Sequence, residues 1–270
     1  VMPFLKVGGM QLFQVELSEH EKALPRITQM ASVIGIIYVC LTVICALSYQ
    51  FAGMSRFDAF THALSTISTG GFSTFDASFA HFDSTTIEMI CVFFMILGCL
   101  PFVLFVKAVR GNWSALFNDT QVRTFIVIVS FAIVTMIIYL IMNDHETVEL
   151  AIRRATFNVV SVITGTGFTN GDYGAWGGFA VILVFFLMVI GGCAGSTTCG
   201  IKVFRFQVIY SVTMAQLKQL IHPHGIFTPH YNHHPLSKEI SSSVMGFFFV
   251  YALSFSILAI CLSFVGLDFM

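Results

Sequence analysis

Ser161-Val162-Ile163-Thr164-Gly165-Thr166-Gly167-Phe168 decides how this chain is read. An apolar approach runs into two glycines separated by one threonine. A close copy lies upstream at Ser65-Thr66-Ile67-Ser68-Thr69-Gly70-Gly71-Phe72. Each copy continues with a hydroxyl residue (Ser73 or Thr169) and, three residues further, an aspartate (Asp76 or Asp172). Each also sits between two long hydrophobic segments. The pattern is span, short helix, glycine turn, span, written twice, and such self-similarity is the mark of a repeat architecture.

Composition fixes the solvent. Of 270 residues 56% are apolar and only 10% charged, with a mean hydropathy of +0.86; a soluble domain carries about 25% charged residues. The chain is therefore read as an all-α integral membrane protein in contact with the lipid bilayer. The seven cysteines, Cys40, Cys45, Cys91, Cys99, Cys193, Cys199 and Cys261, all fall in expected spans, where they act as small hydrophobes, and an odd count makes no disulfide framework. No charged segment precedes an apolar core at the start, so no signal peptide is expected. The sequence opens at Val1 and stops at Met270 just after a span, as a piece of a longer protein would.

Taken in order, residues 1–29 form a polar, cytoplasmic-side approach segment. Residues 30–106 form one repeat: a span over 30–52, a half-helix over 56–67, a turn at 69–73 and a span over 85–106 carrying Gly98 and Pro101. A connection at 107–123 leads to a second repeat, 124–220. It comprises a span over 124–142, a half-helix over 147–163, a turn at 165–169 and a second span that starts near Phe179. That span breaks at Gly191-Gly192-Cys193-Ala194-Gly195-Ser196-Thr197-Thr198-Cys199-Gly200 and resumes over 201–220. Irregular backbone at membrane depth is tolerated only where protein or a water-filled cavity covers it, so residues 191–200 are expected to face a pore. A loop at 221–239 precedes residues 240–270, the first span of a further repeat.

Charge placement separates crossing half-helices from re-entrant ones. If both half-helices re-enter, ten of the thirteen basic residues share one side: Lys6, Lys22, Arg26, Lys107, Arg110, Arg123, Lys202, Arg205, Lys218 and Lys238. Only Arg56, Arg153 and Arg154 lie opposite, and the positive-inside rule makes the richer side cytoplasmic. The outer side then gathers Asp58, Asp76, Asp83, Glu88, Asp144, Glu146, Glu149 and Asp172. Full crossings would scatter this segregation, so the half-helices re-enter.

A re-entrant helix that ends at mid-membrane presents unsatisfied carbonyls with partial negative charge. Glycine allows backbone angles that aim successive carbonyls into one lumen, and rings of such carbonyls replace the water shell of a dehydrated cation. An acidic outer rim concentrates cations. The plainer explanation is that the glycines only end helices and permit close packing; two copies, each flanked by spans and each on the acidic side, argue for the pore.

The motifs Ser-Thr-Gly-Gly-Phe-Ser73, Thr-Gly-Thr-Gly-Phe168 with Gly-Asp-Tyr-Gly-Ala-Trp176, and Gly-Gly-Cys-Ala-Gly-Ser-Thr197 resemble those of the Trk/Ktr family of potassium uptake transporters, in the membrane subunit. The resemblance covers essentially the whole chain. It implies four span–pore-loop–span repeats of the potassium-channel-like type around one pore, of which this chain matches the second, the third and the first helix of the fourth. It implies K⁺ as the transported ion, bound by backbone carbonyls of Thr69, Gly70, Gly71, Gly165, Thr166 and Gly167, with Phe72 and Phe168 flanking the filter. Gly191, Gly192, Gly195, Ser196, Thr197, Thr198, Cys199 and Gly200 match an intramembrane gating loop. There the family's glycine run reads Thr198-Cys199-Gly200, so a side chain at Cys199 is expected to stiffen the loop. The family's pore-facing arginine belongs to its fourth repeat and is not carried over to Arg205. A bacterial inner-membrane location, a homodimer and a cytoplasmic nucleotide-binding regulatory subunit of the TrkA type, docking on 107–123 and 201–239, are implied as well; no cofactor, no nucleic acid and no catalytic residue are expected.

Other features weigh less. Lys202 and Arg205, just past the broken stretch, read as basic residues snorkelling to the inner interface, as charges that repel cations, or as contacts for a cytoplasmic partner. Asp76 and Asp172 read as rim charges or as carboxylates capping a turn. His222, His224, His230, His233 and His234 lie within thirteen residues but lack the spacing of a closed zinc site. An intramembrane hydrolase built on Ser196 would need a base in reach, and no histidine is expected at that depth. The remaining rival is a non-conducting structural or receptor-like membrane domain that keeps the pore architecture.

Overall fold

A computed structural model describes residues 27–143, 147–232 and 234–266. The approach segment up to residue 26, and Asp144, His145, Glu146 and His233, lie outside the described residues. Residues 26–204 form one unit and residues from Arg205 onward belong to another.

The first unit is built on ten short and long helical pieces whose order follows the repeat. α1 (Ile27–Phe51) is an apolar helix of 25 residues, about 37 Å long at 1.5 Å per residue, enough to cross a bilayer. A sharp turn at Gly53 (φ +108°) leads into the half-helix α2 (Arg56–Ile67), started by Ser55, whose hydroxyl oxygen accepts from the Asp58 amide at 3.1 Å. A 3₁₀ turn at Ser78–His81 precedes α3 (Thr85–Gly98), and α4 (Phe102–Val109) follows. The sequence reads α3 and α4 as one span; they are bent by 93° at the break between them. Pro101 has no amide to donate and stands at the N-cap of α4, which is where proline is tolerated.

After α5 (Ser114–Asn118), α6 (Thr120–Met142) is the first span of the second repeat, started by Asp119, which accepts from the amides of Gln121 and Val122 at 2.8 and 3.1 Å. α7 (Val148–Ile163) is the second half-helix; a 3₁₀ turn at Tyr173–Trp176 and α8 (Gly178–Val189) follow. α1 packs on α2 and α6 on α7, as each span should hold its own half-helix, while α3 against α7 joins the two repeats. The core lies along these seams: Tyr49, Phe79, Cys91, Met95, Phe125, Met136, Phe157 and Ile163 are all fully buried. Broad exposed apolar faces such as Val39, Val43, Phe131, Val134 and Ile138 suit lipid rather than water.

α9 (Val203–Ile221) begins at the end of this unit and runs into the other. There a two-residue hairpin pairs β1 (His230–Tyr231) with β2 (His234–Pro235), and α10 (Lys238–Phe264) is a 27-residue apolar helix. Arg205 stacks on Phe247 at 3.8 Å. Among the described residues three helices are long and apolar enough to cross a membrane, or four if the bent α3–α4 pair counts as one span. The fold is thus an all-α membrane architecture of tandem span–pore-loop–span repeats.

Candidate functional site

Both half-helices end on the same pair of backbone hydrogen bonds. In the first, the Gly70 amide donates to the Ser65 carbonyl (2.7 Å) and the Thr69 amide to Thr66 (3.1 Å). In the second, the Thr166 amide donates to Ser161 (3.0 Å) and the Gly165 amide to Val162 (2.9 Å). These paired 6→1 and 5→2 bonds are the Schellman motif, whose first residue beyond the cap is left-handed. That residue is Thr69 (φ +51°) in one turn and Gly165 (φ +69°) in the other. Two residues on, Gly71 (φ +70°) and Gly167 (φ +85°) are left-handed again, while Gly70 and Thr166 between them are not. Three of these four left-handed positions are held by glycine, which adopts them without steric cost. A β-branched Thr69 in this region is a true outlier. Its hydroxyl, donating toward the Ser68 carbonyl (2.7 Å) and the Thr197 carbonyl (3.2 Å), offsets part of the strain.

The two turns touch. A Cβ on Gly71 would collide with the Thr166 carbonyl oxygen, whereas one on Gly167 would meet nothing within 4 Å. Among the described residues no donor reaches the carbonyls of Thr69, Gly70, Gly71, Gly165, Thr166 or Gly167. Thr69 and Thr166 are buried, Gly71 is half-buried, and Gly70, Gly165 and Gly167 are exposed, so the two adjoining turns open on one side to whatever fills the space before them.

The broken stretch 191–200 lies against both turns. Its neck is closed by the Gly191 amide donating to the Ile201 carbonyl (2.9 Å) and the Ile201 amide to Val189 (3.0 Å). Thr197 Oγ1 donates at 3.0 Å to both Ile67 and Gly98 carbonyls, the first at the end of the first half-helix. Cys199 lies 3.6 Å from where a Cβ on Gly165 would stand. The loop also repairs the α3–α4 break: Thr197 N donates to Gly98, Cys193 N to Cys99, and Phe102 N to Gly195, at 3.0–3.2 Å. Gln121, buried at the start of α6, accepts from the Ala194 amide at 2.9 Å. Ser196 donates to the Cys193 carbonyl at 2.6 Å; with no histidine among its partners it has the bonding of a loop staple rather than of an activated nucleophile.

The phenylalanines of the two turns differ. Phe168 is buried in an aromatic nest with Phe79 (4.5 Å between ring centres) and His62 (6.1 Å), whereas Phe72 is 82% exposed. His62 is buried in α2, with Nδ1 on the Asp58 carbonyl (2.8 Å) and Nε2 on the Ser73 hydroxyl (2.9 Å). At the outer edge, Ser55 and then Thr74 donate to the Asp58 carboxylate and hold it below the usual carboxylate range. Asp76 is exposed, and Asp172 caps its own turn by accepting from the Gly174 amide at 2.9 Å.

Grouping Glu88 with the outer rim charges needs correction. It is 1% exposed and bonded to both Arg153 Nε (2.9 Å) and Nη2 (2.8 Å), while Asn170 donates to it at 2.8 Å. Asp83, exposed, completes the guanidinium's shell at 3.0 Å. Asn170 also accepts from Asn158 on α7 at 2.7 Å, so a buried polar chain runs from α3 to the residue two beyond Phe168. A carboxylate in the otherwise apolar Thr85–Gly98 stretch, with an arginine in a half-helix, was the available signal, because intramembrane charges pair. The reading of Lys202 as a snorkelling residue also differs from the structure: its ammonium is turned into the loop, on Ser196 and Thr198. Among the described residues no group of three His, Cys, Asp or Glu is placed to hold a metal.

Comparison with known proteins gives these turns a family context. Residues 1–269 match the TrkH model, described as a cation transport protein. The chain is 40% identical over its whole length to the Trk system potassium uptake protein TrkI of Halomonas elongata, covering 55% of that protein. It is 37% identical to Trk system potassium uptake protein TrkH of Escherichia coli over 99% of this chain and 56% of that one. The crystal structure of the potassium transporter TrkH from Vibrio parahaemolyticus superposes with a TM-score of 0.87 at 33% identity, over 97% of this chain and 57% of the other. The chain thus spans little more than half the length of the relatives it matches.

Proposed function

This chain belongs to the TrkH family of cation transport proteins, and from that premise we propose that its two glycine turns supply half of a carbonyl-lined filter for K⁺ uptake. The observation that carries the proposal is the pair of adjoining Schellman turns whose six carbonyls accept no protein hydrogen bond among the described residues. Their oxygens offer a monovalent cation what water offers it, without the cost of reorganisation. The remaining half of the ring would come from two further repeats, and the acidic outer residues Asp58, Asp76, Glu149 and Asp172 would raise the local cation concentration. The protein needs no resident cofactor for this.

The loop 191–200 is the gate of this reading. It adjoins both turns, through Thr197 and Cys199, and its backbone bonds to the α3–α4 break give it something to let go of. In the cell the protein would sit in a bacterial inner membrane as a homodimer, with a cytoplasmic nucleotide-binding regulator docking on 107–123 and 201–239. The test is K⁺-limited growth of cells lacking their own potassium uptake, rescued by the full-length protein. Gly71→Val should abolish rescue; normal growth with that variant would sink the filter assignment, and failure of the unaltered protein to rescue while present in the membrane would favour a non-conducting domain.

A further inference from the structure

The half-helices α2 and α7 each carry one buried polar side chain at the same place in the repeat. His62 stands three residues before Ser65 and Asn158 three before Ser161, and they are 0% and 1% exposed. Both reach the segment that leaves the glycine turn. His62 Nδ1 lies 2.8 Å from the Asp58 carbonyl, which can only accept. Nδ1 therefore carries the proton, and Nε2 accepts from the Ser73 hydroxyl at 2.9 Å. Ser73, one residue past Phe72, accepts in turn from the Phe75 amide at 3.2 Å. Asn158 Nδ2 donates to Asn170 Oδ1, two residues past Phe168, at 2.7 Å.

The second tie continues further than the first. Asn170 Nδ2 donates to Glu88 at 2.8 Å, and Arg153 grips that carboxylate through Nε and Nη2. The Thr169 amide also donates to Ser78 Oγ of the first repeat at 3.3 Å. Packing alone would be served by apolar residues at these places. A buried imidazole and a buried amide are tolerated only with partners, and each finds its partner on the exit of a turn. A carbonyl site that is kept from closing on a smaller ion favours the larger one, and a site of that kind must be held to within about 0.5 Å by the groups supporting it. We infer that His62 and Asn158 are equivalent positioning residues of the filter: through Ser73 in one repeat and Asn170 with Glu88 in the other, they hold the exits of the two turns and set the preference for K⁺ over Na⁺. The second tie is the stronger, because it ends on an ionised carboxylate.

The inference rests on the filter reading above, and its test keeps the two apart. The full-length protein would be reconstituted in vesicles and its uptake of Rb⁺ and of Na⁺ measured side by side. Asn170→Leu, similar in size, removes both side-chain bonds and should lower the Rb⁺-over-Na⁺ ratio about tenfold, the worth of one hydrogen bond to a charged group. Ser73→Ala, at the half-buried exit of the first turn, should lower it about threefold, as the loss of a neutral bond does. It also serves where Asn170→Leu fails to reach the membrane. Uptake of both ions falling in proportion, at an unchanged ratio, would make the ties merely structural and overturn the inference. An unchanged ratio at full uptake would do the same. Rb⁺ uptake that persists in Gly71→Val would overturn the filter reading beneath it.

Discussion

The two glycine turns share a hydrogen-bond pattern and differ in what stands behind them. In the second, Ser161 Oγ donates to the Phe168 carbonyl at 2.6 Å, and the Phe168 ring is 1% exposed against Phe79 and His62 of the first repeat. In the first, the equivalent Ser65 Oγ is buried with no hydrogen-bond partner among the described residues, and Phe72 is 82% exposed. The lesson is that a turn's backbone is set by its own half-helix, whereas its side chains are fixed by the repeat that precedes it. In a pore of four repeats, Phe72 would find its aromatic nest on a repeat preceding α1, as Phe168 finds Phe79 on the loop after α2.

The largest expected effect breaks the equivalence of the two glycines. Gly167→Ala adds mainly left-handed strain, about 1–2 kcal/mol, because no atom lies within 4 Å of its Cβ. Gly71→Ala adds a collision with the Thr166 carbonyl to the same strain. Uptake of K⁺ by the full-length protein should fall to background in Gly71→Ala and by roughly tenfold in Gly167→Ala, if the ~1.4 kcal/mol that equals tenfold is lost from the conducting geometry. Equal losses would mean that the turns do not touch in the working pore.

Phe168→Ala should destabilise this 270-residue chain by about 3–5 kcal/mol, as large-to-small changes in cores do. Phe72→Ala should change it by less than ~0.5 kcal/mol. Thermal unfolding in detergent reads both. Glu88→Gln comes next. It leaves Arg153, with a side chain 18% exposed, short of its buried partner, and breaking such a pair costs about 3 kcal/mol. The double variant Glu88→Gln, Arg153→Met should recover part of that loss, which a double-mutant cycle would measure. The smallest effect is again a contrast: Ser161→Ala should cost about 1 kcal/mol, while Ser65→Ala should be neutral or slightly stabilising, since the hydroxyl it removes is unsatisfied.

Much of this was legible in the residues because membrane helices announce themselves locally. The half-helices expected at 56–67 and 147–163 are Arg56–Ile67 and Val148–Ile163, marked by Ser55 at one start and by glycine-containing turns at both ends. The break at 191–200 was legible from glycines and hydroxyls at a depth where helix is otherwise obligatory. The 93° bend at Gly98–Pro101 was not, since hydropathy continues across it. The bend is sustained by hydrogen bonds from a loop about ninety residues away in sequence, a partnership that composition does not carry. Glu88 was misplaced for the same reason. Its neighbours in sequence put it on the outer side, and only its pairing with Arg153 takes it off the rim. Lys202 sits where a snorkelling lysine would, and the direction of its side chain was decided by the fold of the loop preceding it.

The measurement that tests the central claim most directly is anomalous diffraction from crystals of the full-length protein soaked in Tl⁺ or Rb⁺. The account predicts peaks on the lumen side of both turns, within about 3.5 Å of carbonyl oxygens among Thr69–Gly71 and Gly165–Gly167, a ligand distance suited to a large monovalent cation held by a carbonyl ring. Strong ion peaks elsewhere in a transport-competent protein, with none at these carbonyls, would contradict it.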